Sequence, residues 1–281
     1  MPPHDAVMVA DGPAHAPRAG APKIELVGAG KTFHVRGQQV TALQPVDLAV
    51  RDQEFVALVG PSGCGKSTTL NLIAGLLRPS CGQVLYDGAP VDALNRRVGY
   101  ITQKDTLLPW RTAAANIGVA LELQSRAVPR AEAQERVAEL IDLVGLRGFE
   151  NHYPAELSGG MRKRVALART LIYEPQCLLM DEPFGALDAQ LKLLMQDQLQ
   201  QLVHQRRMTV LFVTHDLGEA IALADRVVVF SARPGRIRAV RDVGQARPRD
   251  IFRMRFTEGF GRLHEELWDE LKDEVAKGVD V

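Results

Sequence analysis

An apolar run, Glu54-Phe55-Val56-Ala57-Leu58-Val59, leads directly into Gly60-Pro61-Ser62-Gly63-Cys64-Gly65-Lys66-Ser67-Thr68 and then into a helix-like stretch to about Leu77. Strand, glycine loop and helix in that order constrain the chain more than any other feature. The spacing G-x-x-x-x-G-K-S lets consecutive backbone N–H groups face an anion, and the helix N-terminus adds its positive end. In such a loop Lys66 reaches the β- and γ-phosphates of a nucleotide, and the Ser67 hydroxyl holds Mg²⁺. An ordinary glycine-rich turn is the plain alternative, disfavoured by the full pattern between a strand and a helix.

A length of 281 residues can bury a sizeable core, as one large domain or one domain with an inserted subdomain. Lys plus Arg number 34 and Asp plus Glu number 34, so net charge supplies no argument for nucleic acid or an anionic membrane, and no nucleic-acid partner is expected. Cys64, Cys81 and Cys177 lack C-x-x-C spacing, and a disulfide at Cys64 would obstruct the glycine loop, so a reducing compartment is expected. No apolar run approaches the ~20 residues needed to cross a bilayer. Residues 1–22, rich in Ala, Pro and Gly and without a basic start, read as a disordered leader rather than a signal peptide.

Between residues 23 and 50 the pattern is extended: Ile24-Glu25-Leu26-Val27 alternates, Thr32-Phe33-His34-Val35 follows, and Val46, Leu48 and Val50 alternate again, predicting antiparallel strands. Phe33, upstream of the glycine loop, either stacks on a purine or is a core aromatic. Gln83 to Tyr86, ending in Asp87-Gly88, reads as a hairpin arm, and Val98 to Thr102 as a short strand delivering Gln103 at its carboxyl end. The texture then turns helical over about 104–175, with helices expected over 113–123 and 129–146, and this region reads as an inserted helical subdomain.

That region closes with Leu157-Ser158-Gly159-Gly160-Met161-Arg162-Lys163-Arg164, where Ser158 caps a helix and Gly159-Gly160 leave its first amides open. It is either a second anion-facing helix start or a simple cap. Next comes a buried-type strand ending in Asp181-Glu182. Asp181 could hold Mg²⁺ beside the glycine loop if the two strands are neighbours, and Glu182 could take a proton from water; a solvated turn is the alternative. Asp188 starts a long helix, the strand 209–214 ends at His215-Asp216, and two last strands flank Arg233-Pro234-Gly235. From 251 to 275, Phe252, Phe256, Phe260, Leu263, Leu267 and Leu271 recur at helical spacing and predict one amphipathic terminal helix, continuing to residue 281 as a unit apart from the domain 23–250.

Taken together these pieces resemble the ATP-binding subunit of ATP-binding cassette (ABC) transporters over residues 23–281. Six motifs occur in that family's order: the Walker A loop from Gly60 to Thr68, the Q-loop Gln103, the signature Leu157-Ser158-Gly159-Gly160, the Walker B strand from Cys177 to Glu182, the D-loop Ala186-Leu187-Asp188 and the switch His215. Within the family, Leu107-Leu108-Pro109-Trp110-Arg111-Thr112, the signature ending Met161-Arg162-x-Arg164 and Pro183-Phe184-Gly185-Ala186-Leu187-Asp188 resemble the importer ATPases for nitrate, sulfonate, taurine or related compounds. Lys163 departs from the Gln such importers usually carry.

The resemblance implies an α/β fold, a P-loop NTPase (RecA-like) core with an antiparallel β-subdomain and the helical insertion. It implies ATP and Mg²⁺ as ligands, with Phe33, Gly60, Ser62, Gly63, Cys64, Gly65, Lys66, Ser67, Thr68, Ser158, Gly159, Gly160 and Asp188 around the nucleotide, Ser67, Gln103 and Asp181 at the metal, and Glu182, His215 and Gln103 catalytic. It further implies a head-to-tail pair of copies at the cytoplasmic face of the membrane, an integral-membrane permease, and, indirectly, an extracytoplasmic solute-binding protein. Trp110, ending an apolar cluster after Gln103, is expected as an exposed anchor for the permease rather than a core residue. An exporter ATPase, a soluble non-transport ABC ATPase and a nucleotide-gated regulatory module are the rival readings.

Overall fold

The computed structural model of the chain describes residues 21–122, 128–185 and 187–279; the expected leader up to residue 20 lies outside the described residues, as do Leu123 and Ala186. The extended stretches merge into two long antiparallel strands, β1 (Pro22–Val35) and β2 (Gln38–Arg51), so Pro22 already belongs to the sheet. A tight turn leads to β3 (Phe55–Val59), the glycine loop and α1 (Lys66–Ile73), which ends short of the expected Leu77. Gly75 follows at φ 70, the left-handed stop that a residue with a Cβ adopts at a cost, and here a Cβ would also lie 2.0 Å from the Ala93 carbonyl oxygen. β4 (Cys81–Tyr86) returns to pair with β1, and Asp87 and Gly88, both at positive φ, turn the chain into β5 (Ala89–Pro90). The first sheet thus runs β2-β1-β4-β5.

A second sheet carries the remaining strands. β6 (Val98–Ile101) is followed by α2 (Ala113–Glu122), α3 (Arg130–Leu143) and α4 (Gly159–Leu171), then by β7 (Cys177–Asp181), α5 (Ala189–Gln205), β8 (Thr209–Val213), α6 (Leu217–Leu223), β9 (Arg226–Phe230) and β10 (Ile237–Asp242). Its order is β10-β9-β3-β8-β7-β6, parallel except for the edge strand β10. Every position of β3, β7 and β8 is buried. The period of two divides them cleanly. Phe55, Ala57, Val59, Leu178, Met180, Val210 and Phe212 face a core shared with α2 to α6. Val56, Leu58, Leu179, Leu211 and Val213 face a second core, shared with Leu70, Leu72 and Ile73 of α1 and with β1, β2 and β4. Since burying a Leu, Val or Ile contributes about 1.5–3 kcal/mol, the doubly covered sheet is the stable frame of the molecule.

The single terminal helix expected over 251–275 is two helices, α7 (Ile251–Met254) and α8 (Glu258–Val279). Thr257 breaks the run: its hydroxyl bonds the Met254 carbonyl at 2.7 Å and accepts from the Phe260 N–H at 3.3 Å, capping α8. Leu267 and Leu271 are buried as expected, but the break leaves Phe252 and Phe256 exposed, edge to face with centroids 5.3 Å apart.

The β9–β10 turn braces the glycine loop from behind. The Gly235 N–H donates to the Ala42 carbonyl at 3.1 Å, and its own carbonyl accepts from the Gln44 N–H at 2.8 Å. A Cβ on Gly235 would lie 1.8 Å from the Cys64 carbonyl oxygen. Gly235→Ala must therefore displace the loop: nucleotide Kd is expected to rise about tenfold, ~1.4 kcal/mol, with a lower melting temperature. Unchanged affinity by titration with a fluorescent nucleotide would refute this.

Candidate functional site

The glycine loop is shaped by close approaches. Gly65, the N-cap of α1, sits at φ 94, and a Cβ there would meet the Ala42 carbonyl oxygen at 2.8 Å. A Cβ on Gly60 would meet the Phe230 carbonyl oxygen at 2.9 Å. Ser62 and Gly63 form the exposed rim, Cys64 is buried, and Ser67 and Thr68 open the helix. Burial pushes the Cys64 thiol up, partly offset by the Lys66 charge. Lys66, 6% exposed, donates to the carbonyls of Gly60 and Pro61 at 2.8 Å each. The loop thus holds its cation inside a ring of backbone dipoles at a helix N-terminus, a setting that attracts phosphate oxygens.

β7 is not the neighbour of β3, as the sequence reading required for Asp181 to reach the loop; β8 lies between them. The gap is closed by α1, whose Ser67 hydrogen-bonds the Asp181 carboxylate. Burial drives the Asp181 carboxyl above its ordinary value, and the Ser67 bond only partly offsets this. The next residue, Glu182, takes the left-handed conformation at φ 47, unusual for a Glu, and its N–H is pinned to the Val213 carbonyl at 3.0 Å. Two neighbouring strand ends bring side-chain nitrogens to one of its oxygens. Gln103 Nε2, beyond β6, lies 3.3 Å from Glu182 Oε2, and His215 Nδ1, beyond β8, lies 3.4 Å from the same atom.

The supports of this cluster were not singled out in the sequence. Asp216 caps α6 by accepting from the Glu219 N–H at 3.1 Å, and Thr214 donates to Glu219 Oε2 at 2.5 Å, so the turn presenting His215 is tied at both ends. The spacing Asp216-x-x-Glu219 was the readable signal. Buried Asn116 organises the Trp110 loop: its amide donates to the carbonyls of Leu108, Arg111 and Thr112 and accepts from the Leu108 N–H at 2.8 Å. No sequence pattern marked it. Trp110 itself is 71% exposed, whereas Leu107 of the same cluster packs against the core.

The second group of expected residues stands apart. Ser158 caps α4 by accepting from the Met161 N–H at 3.2 Å, Gly159 and Gly160 form its first turn, and Asp188 caps α5 by accepting from the Leu191 N–H at 2.9 Å. Among the described residues no hydrogen bond or ion pair joins Ser158, Gly159, Gly160 or Asp188 to the glycine loop. Phe33, half-buried on β1, belongs to neither core, and Lys31 Nζ lies 5.4 Å from its ring centroid.

This arrangement has known counterparts. Residues 43–185 match the profile of the ABC transporter family. The chain is 44% identical over 257 residues to an uncharacterized ABC transporter ATP-binding protein of Methanocaldococcus jannaschii, covering 92% of this chain and 94% of the other. The chain belongs to the ABC transporter family. The cassette is also 40% identical over 226 residues to the aliphatic sulfonates import ATP-binding protein SsuB of Bacillus cereus, covering 80% of this chain and 88% of that one. Among solved structures, the dimeric post-hydrolysis state of the ATP-binding cassette MJ0796 bound to ADP and Pi superposes with a TM-score of 0.73 at 32% identity, covering 79% of this chain and all of the other. The fold is that of an ABC ATPase.

The donors on offer suit Mg²⁺. Among the described residues no group of three or more His, Cys, Asp or Glu could hold a metal alone. Mg²⁺ does not require one: one or two protein oxygens with phosphate oxygens suffice. The buried Asp181 carboxylate, bonded to Ser67, is short of a cation in just this sense.

Because burial holds the folded-state value of Asp181 above its unfolded one, folded-state stability declines as pH rises through the window between them. Asp181→Asn in metal-free buffer at neutral pH is thus expected to melt higher by about 2–4 °C, the scale of ~1 kcal/mol in a domain this size, and the gain should vanish below the ordinary Asp value. A lower melting temperature at both pH values would refute the assignment of burial as the dominant cause.

Proposed function

We propose that this cassette hydrolyses ATP as a subunit of an importer for a small solute of the nitrate, sulfonate or taurine kind, working with a separate integral-membrane permease. The observation that carries the catalytic part is the convergence of Gln103 and His215 on one oxygen of the strained Glu182, beside the Ser67–Asp181 pair. The importer part is supported by the sulfonate-import relative and by the exposed Trp110 after Gln103.

On this reading the loop amides from Gly60 to Gly65 and Lys66 hold the β- and γ-phosphates, with Ser62, Cys64 and Thr68 completing the cradle, and Phe33 stacks on the adenine. Ser67, Asp181 and Gln103 would hold Mg²⁺, which neutralises charge building on the phosphate oxygens. Glu182 accepts the proton of the attacking water, and its pinned backbone keeps the carboxylate aimed; His215, at the same oxygen, orients it. Ser158, Gly159 and Gly160 of a second copy, with its Asp188, close over the nucleotide, because within one chain these groups stand apart from the loop. Closure with ATP and opening after hydrolysis would move the permease through Trp110. No helix among the described residues is long and apolar enough to cross a membrane, in keeping with a peripheral subunit on the cytoplasmic face.

Glu182→Gln keeps shape and loses the base. It is expected to bind ATP with near wild-type Kd while kcat falls by at least about a hundredfold. Wild-type turnover with saturating Mg²⁺ would remove Glu182 from the mechanism. Trp110→Ala should melt within about 1 °C of wild type, since little of its surface is buried, yet fail to co-purify with the cognate permease. Normal assembly, or a large drop in melting temperature, would return Trp110 to a structural role.

A further inference from the structure

The segment joining β6 to the Trp110 loop is held by one face of α4. Arg162 Nε bonds Asp105 at 3.0 Å, and Arg169 donates to the carbonyls of Asp105 and Thr106 at 3.0 Å each. Lys163 lies between these two arginines in sequence, and its amine donates to the backbone carbonyl of Gln103, with the Thr102 carbonyl at 3.5 Å. Gln103 in turn places its amide on Glu182 Oε2 at 3.3 Å. The same half-buried ammonium lies in the field of Asp105, Asp181 and Glu182. A continuous chain of contacts therefore runs from the helix that begins at Ser158, through Lys163 and the backbone of Gln103, to the carboxylate oxygen shared with His215.

We infer that Lys163 is a positioning residue for hydrolysis: by gripping the Gln103 carbonyl it fixes the backbone from which the Gln103 amide reaches Glu182, so that movement of α4 is felt at the catalytic carboxylate. The inference rests on the role proposed above for Glu182. The geometry explains why the residue is a cation on a long stem. It must span from the α4 axis to a strand end and donate to two carbonyls, while its charge offsets the carboxylates of Asp105, Asp181 and Glu182 in a partly desolvated site. Arg162 and Arg169 both hold the segment beyond Gln103, at Asp105 and Thr106, and bond neither Gln103 nor Glu182, so they secure the strap and leave its aim to Lys163.

The test uses the full-length chain, with ATP turnover, Kd for ATP and melting temperature measured side by side for wild type, Lys163→Met and Lys163→Arg. Lys163→Met keeps the length and loses the donors; Lys163→Arg keeps the donors. The expected result is a fall in kcat of about tenfold for Lys163→Met, with Kd for ATP changed less than twofold and the melting temperature within about 2 °C, and recovery of most of the turnover in Lys163→Arg. That split separates positioning from folding or binding. Wild-type kcat in Lys163→Met, or a loss shared with Kd and melting temperature that Lys163→Arg does not restore, overturns the inference. Wild type and Glu182→Gln in the same assay report on the site itself: turnover in the first and its loss in the second keep that reading intact whichever way Lys163 falls.

Discussion

The structure depends on a parallel ladder, β3-β8-β7, covered on both faces. A strand buried on both sides has no position where a charged side chain can stay without a partner; β3 and β7 accordingly carry apolar residues until their carboxyl ends, and β8 does so after Thr209, whose hydroxyl accepts from the Gln53 N–H. Chemistry is thereby confined to one edge. The glycine loop, Asp181-Glu182 and Thr214-His215 all stand at the carboxyl ends of these strands, and the register of the ladder sets their spacing. β6 adds Gln103 from the far side of β7.

At that edge the fold holds groups in states they would not choose alone. Asp181 is a carboxylate short of water, and Glu182 is a residue with a Cβ in left-handed backbone. Such a conformation costs on the order of 1–3 kcal/mol and persists only because the surroundings over-determine it. Here the Glu182 N–H bond to Val213 extends the β7–β8 ladder by one residue, and the Pro183 that follows disfavours right-handed helical backbone at Glu182. Desolvation and strain are stored where a cation and a phosphate would relieve the first and use the second, which is the usual form of the trade between stability and activity.

The edge is also fastened to the helices. α4 fastens the segment after β6 through Arg162, Lys163 and Arg169, and Arg164 bonds the carbonyls of Val144 and Gly145 at the end of α3 at 3.0 and 2.8 Å. Asn116 of α2 fastens the loop that follows and leaves Trp110 in solvent. From the Gln103–Glu182 contact to the exposed indole, the segment is therefore held by side-chain bonds to its backbone carbonyls.

Much of this was legible in the sequence because it is local. The glycine loop, the caps Ser158 and Asp188, the buried strands and the Asp-Gly hairpin each follow from a few consecutive residues whose φ, burial or donors the residue types dictate. What one residue at 257 does to a periodic run was not legible: Thr257 ends α7 and caps α8, so Phe252 and Phe256 point to solvent although their spacing fits an apolar stripe. The place of Phe33 outside both cores, the insertion of β8 between β3 and β7, the reach of Ser67 across that gap and the grip of Asn116 and Lys163 on distant carbonyls are contacts between segments far apart in the chain. By itself the amino-acid order determined which loop can turn its backbone amides toward an anion and where the buried strands end. Tertiary structure alone decided which strand ends became neighbours, because pairing order is chosen by how both faces of the sheet are covered, and no short stretch of sequence carries that information.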